Sequence, residues 1–206
     1  MSGARIGILI SGGGRTALNI HAACTSGEIH GRVAIVIAHR EEADGVSRCR
    51  EAGLRVAVVP PDDRLAGSST ANLADRIDGV LGAAKVDLVC LAGYLRRFRV
   101  GGLWRGRTLN IHPALLPEFG GHGMYGVHVH RAVLAAGRAE SGCTVHEVDE
   151  EYDHGRTVLV RRCPVLSNDT PETLAARVFT EECAAYPEAI RLTLARMHPS
   201  GSEVLA

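Results

Sequence analysis

The first hundred residues alternate between short β-branched runs and amphipathic stretches, and that alternation restricts the available folds. Arg5–Ile10, Val33–Ala38, Arg55–Val59 and Asp87–Leu91 are short and rich in Val, Ile, Leu and Ala, as strands buried on both faces must be. Between them, Thr16–Cys24, Ala43–Ala52 and Thr70–Ala84 read as helices. In the last, Leu73, Ile77, Val80, Leu81 and Ala84 recur at helical spacing and share one face. Strand and helix repeating in this way demand right-handed crossovers, hence a parallel sheet covered on both sides. The expected fold class is α/β, a single doubly wound and mostly parallel sheet.

The second half has a different rhythm. Thr108–Ile111 is a further short strand, followed by the Gly-rich stretch Phe119–Gly126 and a helix near His128–Ala136. Cys143–Val148 and Thr157–Val165 are strand candidates joined by the acidic loop Asp149–Asp153, an arrangement that predicts a hairpin. Thr170 is placed to cap the last helix, with Pro171 in its first turn. Pro187 is expected to divide or kink that helix, and the tail from Pro199 to fray. No repeat or interdomain linker interrupts the 206 residues, so one domain over 1–206 is expected.

Composition narrows the partners. Lys+Arg and Asp+Glu are both 23, so no global field favours nucleic acid or an acidic membrane face. No segment approaches the ~20 apolar residues that span a bilayer, and Ile6–Ile10 is too short for a signal-peptide core. The six cysteines (24, 49, 90, 143, 163 and 183) contain no C-x-x-C pair and read as thiols in a reducing, cytoplasmic compartment.

Three segments carry chemistry. The turn Ser11-Gly12-Gly13-Gly14-Arg15-Thr16 runs from the first strand into a helix, so it offers free N–H groups and the positive end of a helix dipole to a phosphate. It lacks the Lys of a P-loop but satisfies a relaxed G-x-G-x-x-A pattern (Gly12, Gly14, Ala17). A dinucleotide bound there would use Glu41 on a ribose or Arg40 on a 2′-phosphate; a turn required only for packing is the alternative. In Leu109-Asn110-Ile111-His112-Pro113, strand alternation places Asn110 and His112 on one face. Pro113 then ends the strand, at the carboxyl edge where open α/β sheets bind ligands. An amide donor beside an imidazolium suits a developing oxyanion, and a hydrogen-bonded pair closing a strand is the alternative. The third segment is Asp149–Asp153 with His154 and Gly155. A carboxylate at Asp153 facing His112 would raise the His112 pKa and orient its ring. Six of the ten histidines lie between 112 and 154, which raises the question of a metal. There is no H-E-x-x-H and no spaced Cys/His set, so no metal is expected.

In this order, the segments resemble the phosphoribosylglycinamide formyltransferase family, folate-dependent enzymes of purine synthesis. The resemblance runs from about Arg5 to Arg196. It is most specific at Leu109–Pro117, Gly126–His130, Gly142–His146 and Tyr152–Gly155, and closes on Ala176-Arg177-Val178, Glu181-Glu182 and Tyr186-Pro187. It implies a Rossmann-like formyltransferase fold with a C-terminal hairpin and helix. The implied reaction passes the formyl group of 10-formyltetrahydrofolate to the amine of glycinamide ribonucleotide. Asn110, protonated His112 and Asp153 match the catalytic trio. Gly14, Arg15, Thr16 and Glu182 match the ribonucleotide site. Leu95, Arg96, Arg97 and Phe98, together with Asn110 and the loop Asp149, Glu150, Glu151, Tyr152 and Asp153, match the folate site. Residues 1–100 would thus hold the ribonucleotide and 101–198 the folate and the chemistry, in a monomer or homodimer without nucleic acid, membrane, metal or nicotinamide. Sugar-nucleotide formyltransferases, formyltetrahydrofolate hydrolases and methionyl-tRNA formyltransferases share the resemblance. The last two usually carry a further domain for which no sequence is seen here. The chain departs from the pattern at Arg15-Thr16, where many members have Ser-Asn, at Arg156, and in an insertion near His122–Tyr125. Arg64 is a loose match to a family arginine.

Overall fold

The computed structural model describes residues 3–61 and 70–197, with the side chains of 70–72 left out. Arg64 and the tail from Pro199 therefore lie outside the described residues. Strands β1 (Ala4–Leu9), β2 (Gly31–Ala38), β3 (Val56–Val58) and β4 (Leu88–Leu91) alternate with helices α1 (Arg15–Thr25), α2 (Asp44–Glu51) and α3 (Thr70–Ala83). After the four-residue α4 (Gly101–Trp104) come β5 (Thr108–His112), α5 (Val127–Ala135), β6 (Glu140–Glu147), β7 (Thr157–Pro164) and α6 (Pro171–Met197). The expected elements are all present, within three residues at each end. Among the described residues the one additional element is α4, too short to leave a periodic signal.

The seven strands form one sheet in the order β3-β2-β1-β4-β5-β6-β7. The first five are mutually parallel, while β6 and β7 run antiparallel as the expected hairpin. The strand order reverses between β1 and β4, and such a switch point opens a crevice beyond the carboxyl ends of the strands. Both faces of the central strands are dry. Ile6, Ile8, Ile10, Val36, Leu88 and Cys90 pack towards α1 and α6, and Leu9, Ile35, Ile37, Val89 and Leu91 pack towards α3 and Trp104. Alternate residues of one strand thus enter opposite cores, which is why β1, β2 and β4 read as unbroken apolar runs.

Pro187 does not divide α6, which continues for 27 residues with the proline inside it. A proline removes the N–H that would bond the carbonyl four residues back, here Cys183. That carbonyl accepts a 2.9 Å hydrogen bond from the Asn19 side-chain amide on α1, so the missing donor is supplied from another helix. One residue earlier, the fully buried Tyr186 hydroxyl lies 2.9 Å from the Leu91 carbonyl and 3.0 Å from that of Leu109. It ties α6 to β4 and β5 directly beneath the crevice.

Candidate active site

The glycine turn follows β1 at the switch point. Gly14 is left-handed (φ 72°), and a Cβ there would lie 2.8 Å from the Gly45 Cα at the start of α2; no other residue fits both demands. The Gly45 N–H donates to the Gly12 carbonyl at 3.0 Å, and Arg48 of α2 donates to the Gly13 carbonyl at 3.0 Å. Gly14 caps α1 without a side-chain acceptor, and no acid occupies the first turn, so the first N–H groups of α1 face outward unsatisfied by side chains. Below the turn, the Ser11 hydroxyl accepts the Leu95 N–H at 2.9 Å and pairs with His39 Nε2 at 2.8 Å. The loops after β1 and β4 are joined there. Burial, with Arg96 and Arg40 nearby, lowers the His39 pKa to about 4. Glu41, the carboxylate a dinucleotide would require, is held by Arg50.

Asn110, His112 and Asp153 converge as the sequence suggested. Asn110 and His112 project from the same face of β5. Asp153 arrives from the β6–β7 connection in a left-handed conformation (φ 55°), its side chain about 10% exposed. The base of that connection is closed by the Glu147 N–H donating to the Arg156 carbonyl and by an Arg156–Glu147 ion pair at 2.6 Å. Arg156 therefore supports the loop conformation rather than disturbing it. Gly155 has to be glycine, since a Cβ there would overlap the Glu147 carbonyl at 1.8 Å. One oxygen of Asp153 accepts from Asn110 Nδ2 at 3.3 Å and lies 3.4 Å from His146 Nε2. The other accepts the Gly121 N–H at 2.9 Å and lies 3.4 Å from His112 Nδ1. His112 Nε2 donates to the Phe119 carbonyl at 2.7 Å.

Three of these partners, His146, Phe119 and Gly121, were not assigned in the sequence. His146 lies directly opposite Asn110 across the β5–β6 pair. Its Nδ1–H donates to the Glu147 carbonyl at 2.8 Å, so in the neutral ring Nε2 can accept from Asn110 Nδ2 at 3.1 Å. Only the antiparallel register reveals that role. The segment Phe119–Gly121 holds His112 and Asp153 through its backbone, which leaves no side-chain signature.

The electrostatics correct one expectation. Burial is the largest influence on His112 and outweighs the upward pull of Asp153 and the Phe119 carbonyl, so its pKa falls below the ordinary histidine value rather than rising. Burial alone would raise the Asp153 carboxyl, but His146, His112 and the Gly121 amide together hold it below the usual range. Burial raises Glu182 on α6 to about 7, and the Arg15 charge offsets only part of this.

The residues matched to folate divide between surface and interior. Leu95 and Tyr152 are exposed, and Arg97 donates to the Glu150 carbonyl, joining the β4 loop to the acidic loop. Glu150 pairs with Arg105, and Asp149 accepts from the Glu151 N–H and pairs with His154. Phe98, by contrast, is buried in the core beside Trp104, so its side chain is a packing group and no ligand can reach its ring. His122 of the inserted segment meets the Tyr152 ring edge-on at 5.8 Å. Among the described residues, no cluster of His, Cys, Asp or Glu could hold a metal ion, and no helix is long and apolar enough to cross a membrane.

Comparison with known proteins places this arrangement. A family model described as formyl transferase matches residues 4–190. The chloroplastic phosphoribosylglycinamide formyltransferase of Vigna unguiculata is 42% identical over 189 residues, covering 90% of this chain and 59% of that protein. The chain thus spans about six-tenths of the length of these plant relatives. The phosphoribosylglycinamide formyltransferase of Haemophilus influenzae is 35% identical, over 91% of this chain and 85% of its own. The solved structure of glycinamide ribonucleotide transformylase 1 from Symbiobacterium toebii superimposes with a TM-score of 0.85 at 41% identity, covering 95% of this chain and 90% of that one.

Proposed function

Since the chain belongs to the formyl transferase family, we propose that it transfers the formyl group of 10-formyltetrahydrofolate to the primary amine of glycinamide ribonucleotide, a step of purine biosynthesis, acting in the cytoplasm on small molecules. The observation that carries this reading is the convergence of Asn110, His112 and Asp153 beside a free glycine turn. It is joined by the likeness to proteins named for that reaction along most of the chain. The turn Gly14-Arg15-Thr16 takes the phosphate through backbone N–H groups, and Glu182 accepts from the ribose hydroxyls. The folate lies between the loop at Leu95–Arg97 and the acidic loop 149–153. Tyr152 and the Phe98 backbone contribute to its walls.

The reaction moves one formyl group from N10 to the amine and one proton from the amine to N10. The amine attacks the formyl carbon, the carbonyl π pair moves to oxygen, and the C–N bond to the folate N10 then breaks. The amine loses a proton and N10 gains one. Asn110 Nδ2 and His112 Nε2 are the donors for the oxyanion, a role in which one hydrogen bond is worth ~10²–10³ in rate. Burial disfavours the charged His112 ring, but an oxyanion beside Nε2 adds to the pull of Asp153 on Nδ1. The ring therefore accepts a proton as the intermediate forms, and the amine nitrogen supplies it. Collapse passes that proton on to N10, with Asp153 holding the ring throughout.

A spectrophotometric formyl-transfer assay, run with and without glycinamide ribonucleotide, tests the reading. Donor loss that requires the ribonucleotide and yields stoichiometric formylated product is expected. Donor loss without it would identify a hydrolase, and no loss would overturn the proposal.

A further inference from the structure

Two arginines border the glycine turn, and they are used differently. Arg48 is committed to the turn itself through the Gly13 carbonyl and pairs with Asp44. Arg15, the first residue of α1, is exposed, and among the described residues no hydrogen bond or ion pair engages its guanidinium. What holds it is an aromatic face. Its Cζ lies 4.1 Å from the centroid of the Phe179 ring on α6. A guanidinium stacked flat on a ring keeps its N–H edge free, and the stacking removes much of the rotamer freedom that an exposed arginine would lose on meeting a ligand. Phe179 and Glu182 lie three apart on α6 and so share a face. The Arg15 charge is felt at the half-buried Glu182 carboxylate, the residue assigned to the ribose.

We propose that Phe179 is a positioning residue that fixes the Arg15 guanidinium at the mouth of the glycine turn. The pair then selects formyl acceptors that carry a phosphate dianion over the same amine without one. This rests on the reading of the turn and Glu182 as the ribonucleotide site. Phe179 touches neither phosphate nor amine; it acts through Arg15. Its effect therefore belongs in the binding of the phosphorylated acceptor and not in the chemical step.

The test measures KM and kcat for glycinamide ribonucleotide and for its dephosphorylated riboside. It uses the wild-type protein, Phe179→Leu, Phe179→Trp, Arg15→Ala and the Arg15→Ala/Phe179→Leu double variant. Leucine keeps apolar volume but has no π face. Phe179→Leu should raise KM for the ribonucleotide about 2- to 30-fold, the range a cation–π contact is worth. It should change kcat less than twofold and leave KM for the riboside unaltered, and Phe179→Trp should restore the wild-type value. Arg15→Ala should raise the same KM by ~10- to 100-fold, the worth of a charge-assisted hydrogen bond, and adding Phe179→Leu to it should change nothing further. An unchanged KM in Phe179→Leu, an equal rise for both acceptors, or a full leucine effect in the Arg15→Ala background would each overturn the inference. Those outcomes leave the proposed activity standing. Failure of the wild-type protein to formylate the ribonucleotide would overturn both.

Discussion

Asp153→Asn isolates the charge at the centre of the site while preserving shape. Both carboxylate oxygens are engaged: one receives Asn110 Nδ2 at 3.3 Å, the other the Gly121 N–H at 2.9 Å. The same oxygens lie 3.4 Å from His146 Nε2 and His112 Nδ1. An asparagine keeps one acceptor and turns the other oxygen into a donor, which must then face either Asn110 or Gly121. The larger loss is electrostatic. A unit charge pair at the 3.4 Å separation of His112 and Asp153 is worth about 5 kcal/mol at an effective dielectric of 20. That attraction exists only once His112 is protonated, so its loss falls on the intermediate and not on the bound substrates. Such selective loss lowers kcat rather than raising KM. The expected result is a kcat lower by ~10³-fold, with KM for glycinamide ribonucleotide within about threefold of wild type and an unchanged far-UV spectrum. Formyl-transfer kinetics in saturating donor, with binding checked by calorimetry, would measure both quantities. A kcat within tenfold of wild type, or a loss confined to KM, would refute the role given to Asp153.

Three further outcomes follow from the same structure. The His39 pKa in the folded state, about 4, lies below the unfolded value of ~6.5. Its stabilising contribution is therefore complete above that value and is lost as pH falls through 4, a change of roughly 3 kcal/mol. His39→Asn should flatten the fall in urea midpoint between pH 7 and pH 4.5, and an unaltered slope would show that His39 is not the titrating group. Asn19→Ala leaves the Cys183 carbonyl without the donor that replaces the proline N–H. It should destabilise the protein by about 1–3 kcal/mol, read from urea unfolding, and a change below 0.5 kcal/mol (roughly the background of a surface substitution) would reject that account of Pro187. With its pKa at about 7, Glu182 accepts hydrogen bonds best above neutrality. KM for the ribonucleotide should accordingly rise as pH drops below 7, and Glu182→Gln should remove that dependence.

Local signals made the parallel half of the sheet legible. Apolar runs marked β1, β2 and β4 because both faces of those strands are dry, and the glycine turn announced itself by composition. Asn110 and His112 could be placed together because strand alternation is a two-residue rule. His146 could not, because its place opposite Asn110 depends on the register of two strands separated by 27 residues of connection (113–139). Pro187 left division of the helix open for a similar reason: a local rule says that a carbonyl is orphaned, and only the tertiary structure shows Asn19 supplying a donor from 164 residues away. Asp153 pulls the His112 pKa upward, as the sequence suggested, but burial, whose depth the sequence does not show, outweighs it. The Phe98 ring shows the same limit, since an aromatic beside a binding loop looks the same in sequence whether its side chain lines the cleft or, as here, packs in the core.

The two non-glycine residues that hold His112 from either side, Phe119 and Asp153, both have positive φ, 56° and 55°. For such residues the left-handed region costs about 1–2 kcal/mol each, and glycines stand close by at Gly120, Gly121 and Gly155. Neither strained position is free to become glycine without loss. Asp153 supplies the carboxylate, and the Phe119 ring packs against the core, which fixes the carbonyl that His112 meets at 2.7 Å. The Phe119 bond occupies the nitrogen needed for the formyl oxygen, so the free site is satisfied but not yet arranged for chemistry. Exchanging that carbonyl for an oxyanion replaces a neutral acceptor by a charged one, and hydrogen bonds to charged groups are roughly twice as strong. The gain appears only as the intermediate forms, which is the condition for a contact to lower the barrier rather than merely tighten binding.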